Sequence, residues 1–566
     1  MTEATSEPHA IDWPLRPWLL AGLFAAAGLA INLVTGGHAA VAWQMAVAAF
    51  LFFGAIAAGF TVERERWREP AVFAALIGAV MAGLAWRAVQ YGDQLADEQY
   101  GFAAGAVASA LALPLFQASF RHRRLATPYT EVFHHVWTDA IFAAGSLAFT
   151  GLSWLVLVVL SELFHLLKLD VLRELMNDGW FGWTYSGLAF GAALGTLRNQ
   201  AKVIATLQTV VLLVASLLAV PLAAGLVVFL LASAVSGPQV LWEATRSATP
   251  VLLACAAGAF VLTSAILRQD DAAMTRNRTM RIAALVLAVV ILPLAVFAAV
   301  SMGLRLNQYG LAPERLWGLV AIVVACAWGL GYWGALLRGR RTGWTTQLRH
   351  ANFILALGAC GLALLLALPI LDFGRISAGN QLHRLESGQV SAAKFDFAAL
   401  RWDFGESGRR ALARLRRAGD AKVAELASSA LAQKERTYAT FDRTNRTRAD
   451  FKLRVTPDDP ELRQQVLDYL IANAFLCQDR CVALDVEAAP GGGRRIALVQ
   501  SGSYELLVSK PGAALVRQLP ADRPATALGA DSVVAVGKTR AIMIDGKPIG
   551  QPLDLGSDLD GGEGPR

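Results

Sequence analysis

Between Trp18 and Leu371 the chain alternates long apolar runs with short polar ones. Eleven runs stand out: Trp18–Val34, Val41–Phe60, Ala71–Trp86, Gly101–Ala118, Ala140–Phe164, Trp180–Leu197, Val203–Val235, Pro250–Leu267, Ile282–Met302, Leu316–Leu337 and Ala351–Leu371. A helix needs about 20 apolar residues to cross a ~30 Å hydrocarbon core, so each run predicts a membrane-spanning helix. Past Gly374 the pattern becomes that of a soluble protein. Helical periodicity returns over Glu406–Ala439, and a further helix, Pro460–Leu476, begins at Asp458-Asp459-Pro460. Short β-type runs follow at Val482–Glu487, Arg494–Gln500, Tyr504–Ser509, Ala514–Gln518, Ser532–Val536 and Arg540–Ile544, parted by turns such as Pro490-Gly491-Gly492-Gly493. These runs predict a small antiparallel sheet packed on one helix. The fold class is mainly α: a polytopic helical membrane bundle of about eleven transmembrane helices with a C-terminal soluble α+β domain.

Charge orients the bundle. The loops after the even-numbered runs carry Arg64, Arg66 and Arg68; Arg121, Arg123 and Arg124; Arg198 and Lys202; Arg268, Arg276, Arg278 and Arg281; and Arg338, Arg340, Arg341 and Arg349. The odd loops hold only Arg87, Lys168, Arg173, Arg246, Arg305 and Arg315. Cytoplasmic loops keep the Lys/Arg excess, which predicts a cytoplasmic N-terminus and a periplasmic C-terminal domain in a bacterial inner membrane. Val203–Val235 contains Pro221 and no charge, and as one helix it is roughly 50 Å long. Read as a single kinked crossing it preserves the alternation; read as a hairpin it turns the later arginine-rich loops outward. The single crossing is the expectation. The layout is then an N-terminal segment 1–16, a transmembrane domain 17–372, a juxtamembrane helical region 373–455, an α+β domain 456–550 and a disordered acidic tail 551–566.

Composition supports this partition. Of 566 residues, 55% are hydrophobic and only 17% charged, against about 25% charged in a soluble chain. The net charge of +7 reads as loop arginines beside a bilayer, and no nucleic-acid partner is expected. The run Trp18–Val34 exceeds a signal-peptide core and reads as a retained anchor. Cys255, Cys326 and Cys360 lie inside apolar runs as small core residues. Cys477 and Cys481 lie in the soluble part and form a candidate disulfide if that part faces an oxidising periplasm.

Three stretches carry a family likeness: ELFHLLKLDVLRELMNDGWFGWTYSGLAFG (Glu162–Gly191), LRLNQYGLAPERLWGLV (Leu304–Val320) and ISAGNQLHRLESGQV followed by FDFAAL (Ile376–Leu400). Together they resemble the bacterial membrane family catalogued as domain of unknown function 4153, over roughly Trp18–Leu400. Ala312 stands where that family often has threonine. The resemblance implies a polytopic inner-membrane protein of unestablished activity and supplies no catalytic residues.

Among candidate sites, Glu131, His134, His135 and Asp139 recur at helical spacing, and Glu162 and His165 form a second Glu-x-x-His pair. A continuous helix holds the two pairs ~45 Å apart, so they read as interfacial polar residues rather than one metal site. Arg409, Arg410, Arg414, Arg416 and Arg417 crowd one helix, as a solvated face or a headgroup contact. The loop Asn307, Gln308, Tyr309 and Gly310, with Glu314 and Arg315, is the candidate functional loop; it either lines a shallow pocket or caps helix ends. Phosphate-loop, nucleophile-elbow and zinc-protease motifs are absent from the sequence, so no catalytic residue, cofactor or metal is expected. The leading expectation is a non-enzymatic envelope scaffold or sensor whose partners are the bilayer and envelope proteins. The alternative is a transporter or flippase for apolar or lipid-like cargo, which needs few buried charges.

Overall fold

The computed structural model describes residues 13–36, 41–236, 248–339, 343–436, 448, 451–473, 476–477, 480–489, 493–500, 503–509, 515–518, 541–544 and 547–549. The expected strand Ser532–Val536, the tail 551–566, residues 1–12 and the loop arginines Arg246, Arg340 and Arg341 lie outside them. The chain forms two compact units, residues 1–380 with 404–407, and residues 381–403 with 408–566.

The first unit is a helical bundle. Its long helices are α1 (Arg16–Thr35), α2 (Ala42–Thr61), α3 (Arg68–Gln90), α4 (Glu98–Gln117), α5 (Tyr129–Leu166), α6 (Gly179–Asn199), α7 (Ala201–Ser236), α8 (Ala248–Leu267), α9 (Arg278–Tyr309), α10 (Pro313–Gly339) and α11 (Trp344–Ala367). Each expected apolar run is a helix. Among the described residues, ten helices are long and apolar enough to cross a membrane. The eleven-run count differs at α6, whose glycines, tryptophans and tyrosine lower its hydropathy. Those same glycines make α6 pack tightly. A Cβ added at Gly187 would overlap the Phe24 carbonyl, one at Gly191 the Leu20 carbonyl, and one at Gly195 the Pro17 backbone. On α1, Gly28 meets the Trp183 carbonyl in the same way. This small-xxx-small stripe lets two backbones touch, which is how helices associate where lipid removes the hydrophobic drive. The contact runs from Gly179 beside Asn32 to Gly195 beside Pro17, so α6 lies antiparallel along the length of α1.

The expectation for Val203–Val235 concerned a proline. The stretch forms one unbroken helix, α7, with Pro221 inside it. In α9, the most buried of the ten, Pro293 removes the N–H that would bond the Val289 carbonyl. Trp333 of α10 replaces that donor: its Nε1 bonds the Val289 oxygen at 2.9 Å. Around this contact, Leu287, Ile291 and Leu294 of α9 pack with Ala223 and Leu226 of α7, Ala256 and Ala259 of α8, and Tyr332 of α10.

The second unit begins within α12 (Phe373–Glu386) and continues through α13 (Phe397–Trp402), α14 (Gly405–Leu415) and α15 (Ala421–Ala432). The helical periodicity expected over Glu406–Ala439 takes the form of two helices among the described residues, with residues 437–439 outside them, and Asp420 starts the second. Its carboxylate accepts from the Lys422 and Val423 N–H groups, an N-cap. Then come β1 (Lys452–Thr456), α16 (Pro460–Ala472), β2 (Arg480–Ala489), β3 (Gly493–Gln500), β4 (Ser503–Ser509), β5 (Val516–Arg517) and a separate ribbon of β6 (Ile542–Ile544) and β7 (Lys547–Ile549). The main sheet has the order β1-β2-β3-β4-β5. It is mixed, not antiparallel as expected: β1 pairs parallel with β2 because α16 carries the chain back to the end where β1 began. Leu462, Val466 and Leu470 of α16 cover Leu453, Val455, Ile496 and Leu507 of the sheet.

The glycine stripe predicts opposite signs at two positions of α6. Gly191→Leu forces backbone separation from α1 and lowers thermal stability in detergent by about 1–3 kcal/mol. Gly182→Ala, with no atom within 4 Å, holds or raises it. Equal effects from the two would show that the stripe does not set the contact.

Candidate functional site

An α-helix leaves its last four carbonyls without partners along the helix, and hydrocarbon offers no water to replace them. Here arginines from other helices supply the donors. Arg198, at the end of α6, donates from Nη1 to the Gly59 carbonyl at 2.6 Å and the Val62 carbonyl at 3.2 Å, at the end of α2. Arg16, at the start of α1, donates to the Arg198 carbonyl at 3.0 Å and the Asn199 Oδ1 at 3.1 Å, closing the end of α6. Asn199 returns a bond to the Trp13 carbonyl at 2.9 Å. Arg349 of α11, only 8% exposed in its side chain, uses Nη2 for the Leu267 carbonyl at 2.7 Å and Nε for the Arg268 carbonyl at 3.3 Å, at the end of α8. A guanidinium suits this role because its planar fork reaches several oxygens and its charge opposes the negative end of the helix dipole.

Polar side chains join these caps into a seam. Gln117 of α4 donates to the Phe60 carbonyl at 3.1 Å and to Asp139 Oδ1 of α5 at 3.2 Å. Tyr332 of α10, fully buried, donates to Asn352 Oδ1 of α11 at 2.7 Å, and Asn352 reaches the Tyr129 hydroxyl of α5 at 3.5 Å. The start of α1, the ends of α2, α4, α6 and α8, and the start of α11 therefore meet at one end of the bundle. That end carries the arginine-rich loops. Arg349 also donates from Nη1 to Asp271 at 2.8 Å, in the loop after α8. Hydrogen bonds from Arg349, then Thr345, hold the Asp271 carboxyl below the usual carboxylate range.

The candidate loop lies at the opposite end. Gly310 ends α9 with a positive φ of 72°, and Pro313 begins α10 with Glu314 in its first turn. Arg315 donates to the Tyr309 carbonyl at 3.1 Å and the Gly310 carbonyl at 2.6 Å, with its guanidinium 5.5 Å from the Tyr309 ring centre. Asn380 Oδ1 accepts from the Leu311 N–H at 2.9 Å. These bonds close a helix end. Beside them Tyr100 stacks on Trp317, which meets Phe373 edge-on, an aromatic group where the helices end.

The other sequence candidates scatter. Glu131 pairs with Arg123, His134 and His135 meet ring to ring, and Asp139 faces Gln117. His165 pairs with Asp170, so the two Glu-x-x-His motifs of α5 have separate partners. Among the described residues, no three His, Cys, Asp or Glu side chains come together to hold a metal. In the second unit Cys477 and Cys481 are bonded to each other, with Cα atoms 5.4 Å apart and both side chains buried. The Cys477 N–H donates to Gln500 Oε1 at 2.9 Å, tying the small loop to β3. At the start of α16, Arg494 bonds the N-cap Asp459 and holds its carboxyl low.

In the sequence the capping arginines Arg198 and Arg349 read only as loop charges, and Arg16 stands out not at all. Their target carbonyls lie up to 182 residues away, and no local spacing signals them. Arg349→Met strands the Leu267 and Arg268 carbonyls and costs about 1–3 kcal/mol at neutral pH. Asp271→Asn keeps those caps and removes only a pH-dependent part. Because Asp271 is depressed in the folded chain, its contribution is present above the ordinary carboxylate pKa and is lost as pH falls through the lowered folded value. Thermal unfolding in detergent from pH 7 down to 3 checks this; a slope identical in wild type and Asp271→Asn would refute it.

No curated protein and no solved structure matches the chain. One family model does, across residues 19–415, from the first residues of α1 to the last residue of α14. That stretch is well over half of the 566 residues and takes in both the arginine seam and the Tyr309–Arg315 turn. A many-helix bundle with this match over its whole length belongs to the family described as domain of unknown function DUF4153.

Proposed function

We propose that this membrane protein is a non-enzymatic scaffold or sensor of the bacterial inner membrane, with a cytoplasmic N-terminus and a periplasmic second unit that binds envelope proteins. The bonded pair Cys477–Cys481 inside a folded α+β core is the observation that carries the reading, since such bonds persist in oxidising compartments. The crossing number supports the same side. Because α6 runs the length of α1, it crosses wherever α1 does, and the count of crossings is odd. The positive-inside rule then assigns the arginine seam to the cytoplasm. In the first unit the arginines Arg198, Arg349 and Arg315 are engaged in closing helix ends, which favours a static bundle over a transport path.

Thiols trapped by acid quench of whole cells, then alkylated with and without reductant, test the compartment. Cys477 and Cys481 gain alkyl groups only after reduction if the reading holds, and both being free in the unreduced sample would overturn it. Photo-crosslinkers at exposed sites such as Arg463 and Arg517 of the full chain then capture envelope proteins; adducts confined to cytoplasmic proteins would remove the scaffold reading.

A further inference from the structure

The turn between α4 and α5, inside the bundle unit, carries more positive charge than its surroundings balance. From Ser119 to Pro128 the chain reads SFRHRRLATP, with three arginines and no acidic residue. Arg123 is matched by Glu131 of α5 at 2.6 Å, and His122 faces Glu69 of α3 at 3.7 Å. Among the described residues no carboxylate pairs with Arg121 or Arg124, and both are exposed. In the turn that leads into α3, Glu63, Glu65 and Glu69 are matched one for one by Arg64, Arg66 and Arg68, so the excess belongs to the α4–α5 turn.

That turn is preformed. Phe120–Arg123 make one helical turn, and the His122 and Arg123 N–H groups both bond the Ser119 carbonyl. The buried Thr127 then donates from its hydroxyl to the Arg124 carbonyl at 2.6 Å. Arg124 holds a positive φ of 49°, a conformation that favours glycine, yet a long cation is kept there. Phe73 of α3 stacks on Phe116 of α4 with ring centres 4.1 Å apart, which sets the turn beside the start of α3.

The position of the turn supplies the partner. Ser119 follows directly on the apolar run Gly101–Ala118, and α3, α4 and α5 are each long and apolar enough to cross a membrane. Their shared end therefore lies at a bilayer surface, whichever compartment it faces. Leu125 is 66% exposed there, and Trp67, next to Arg68, is 57% exposed. Apolar and aromatic side chains at that depth are interfacial anchors, and they hold the neighbouring guanidiniums at headgroup level.

We propose that Arg121 and Arg124 form a binding site for the phosphate of an anionic lipid headgroup, with Leu125 and Trp67 set into the interface beside it. Guanidinium forks suit phosphate oxygens, and a bound phosphate supplies the negative charge that the turn lacks. The site rests on these helices crossing the bilayer and is independent of the scaffold reading.

The test is native mass spectrometry of the full-length protein released from nanodiscs of mixed phosphatidylglycerol and phosphatidylcholine. Wild type is expected to retain phosphatidylglycerol preferentially. R121Q/R124Q loses that preference at least fivefold, since each guanidinium at an anionic surface contributes ~1 kcal/mol, about fivefold. R121K/R124K, which keeps the charge, retains most of it. R276Q/R278Q, which removes the same charge from exposed residues at the start of α9, retains it in full. Melting temperatures in detergent verify folding; if R121Q/R124Q is unstable, R121Q and R124Q are read singly, each with a loss of about fivefold. Equal retention by wild type and R121Q/R124Q would overturn the proposal. An equal loss in R276Q/R278Q would overturn it too, by making the effect one of overall charge. So would displacement of the lipid by millimolar inorganic phosphate, which would assign the site to a free anion.

Discussion

A carbonyl at the end of a helix in hydrocarbon must find a donor, and this bundle draws that donor from guanidiniums of distant helices. Arg198 closes α2, Arg16 closes α6, Arg349 closes α8 and Arg315 closes the end of α9 from the first turn of α10. Each such bond joins a cation to the negative end of a helix dipole. Each also fixes which helix ends share a face. Three of the four gather at the end that carries the arginine-rich loops, so the residues that orient a chain in a membrane also hold its helices together there.

The same requirement explains two features of the interior. Pro293 strands the Val289 carbonyl, and the indole of Trp333 satisfies it from the neighbouring helix. That bond fixes the rotation of α10 against α9. Where no polar group is at stake, packing takes over: the glycines of α6 bring its backbone onto α1. In a bilayer neither contact gains from excluding water, so close approach and satisfied carbonyls carry the association.

Much of the bundle was legible in the sequence because its signal is coarse. A run of about 20 apolar residues reports a crossing helix whatever it packs on, and each of the eleven runs is a helix. Pro221 did not mislead, since a long charge-free stretch outweighs one proline. The turn at Tyr309–Arg315 was also readable, because Gly310 and Pro313 act on their own neighbours. The arginine caps were not, because each joins residues far apart in the chain. The soluble unit was harder. A short strand such as Lys452–Thr456 carries little periodicity of its own, and parallel pairing with β2 depends on where α16 returns the chain. The division between α14 and α15 lies inside one stretch of helical periodicity, where the capping carboxylate of Asp420 marks only the start of the second helix.

The most direct test of the shared face is cysteine accessibility in a chain with Cys255, Cys326 and Cys360 changed to alanine, so that each added thiol reports alone. Glu65→Cys, Arg121→Cys and Arg276→Cys sample three arginine-rich connections; Leu169→Cys and Gln308→Cys, the latter in the last turn of α9, sample the other end. A membrane-impermeant maleimide applied to intact and then lysed cells should sort the first three together and the last two oppositely. Labelling of any arginine-rich loop alongside Leu169→Cys would contradict the account.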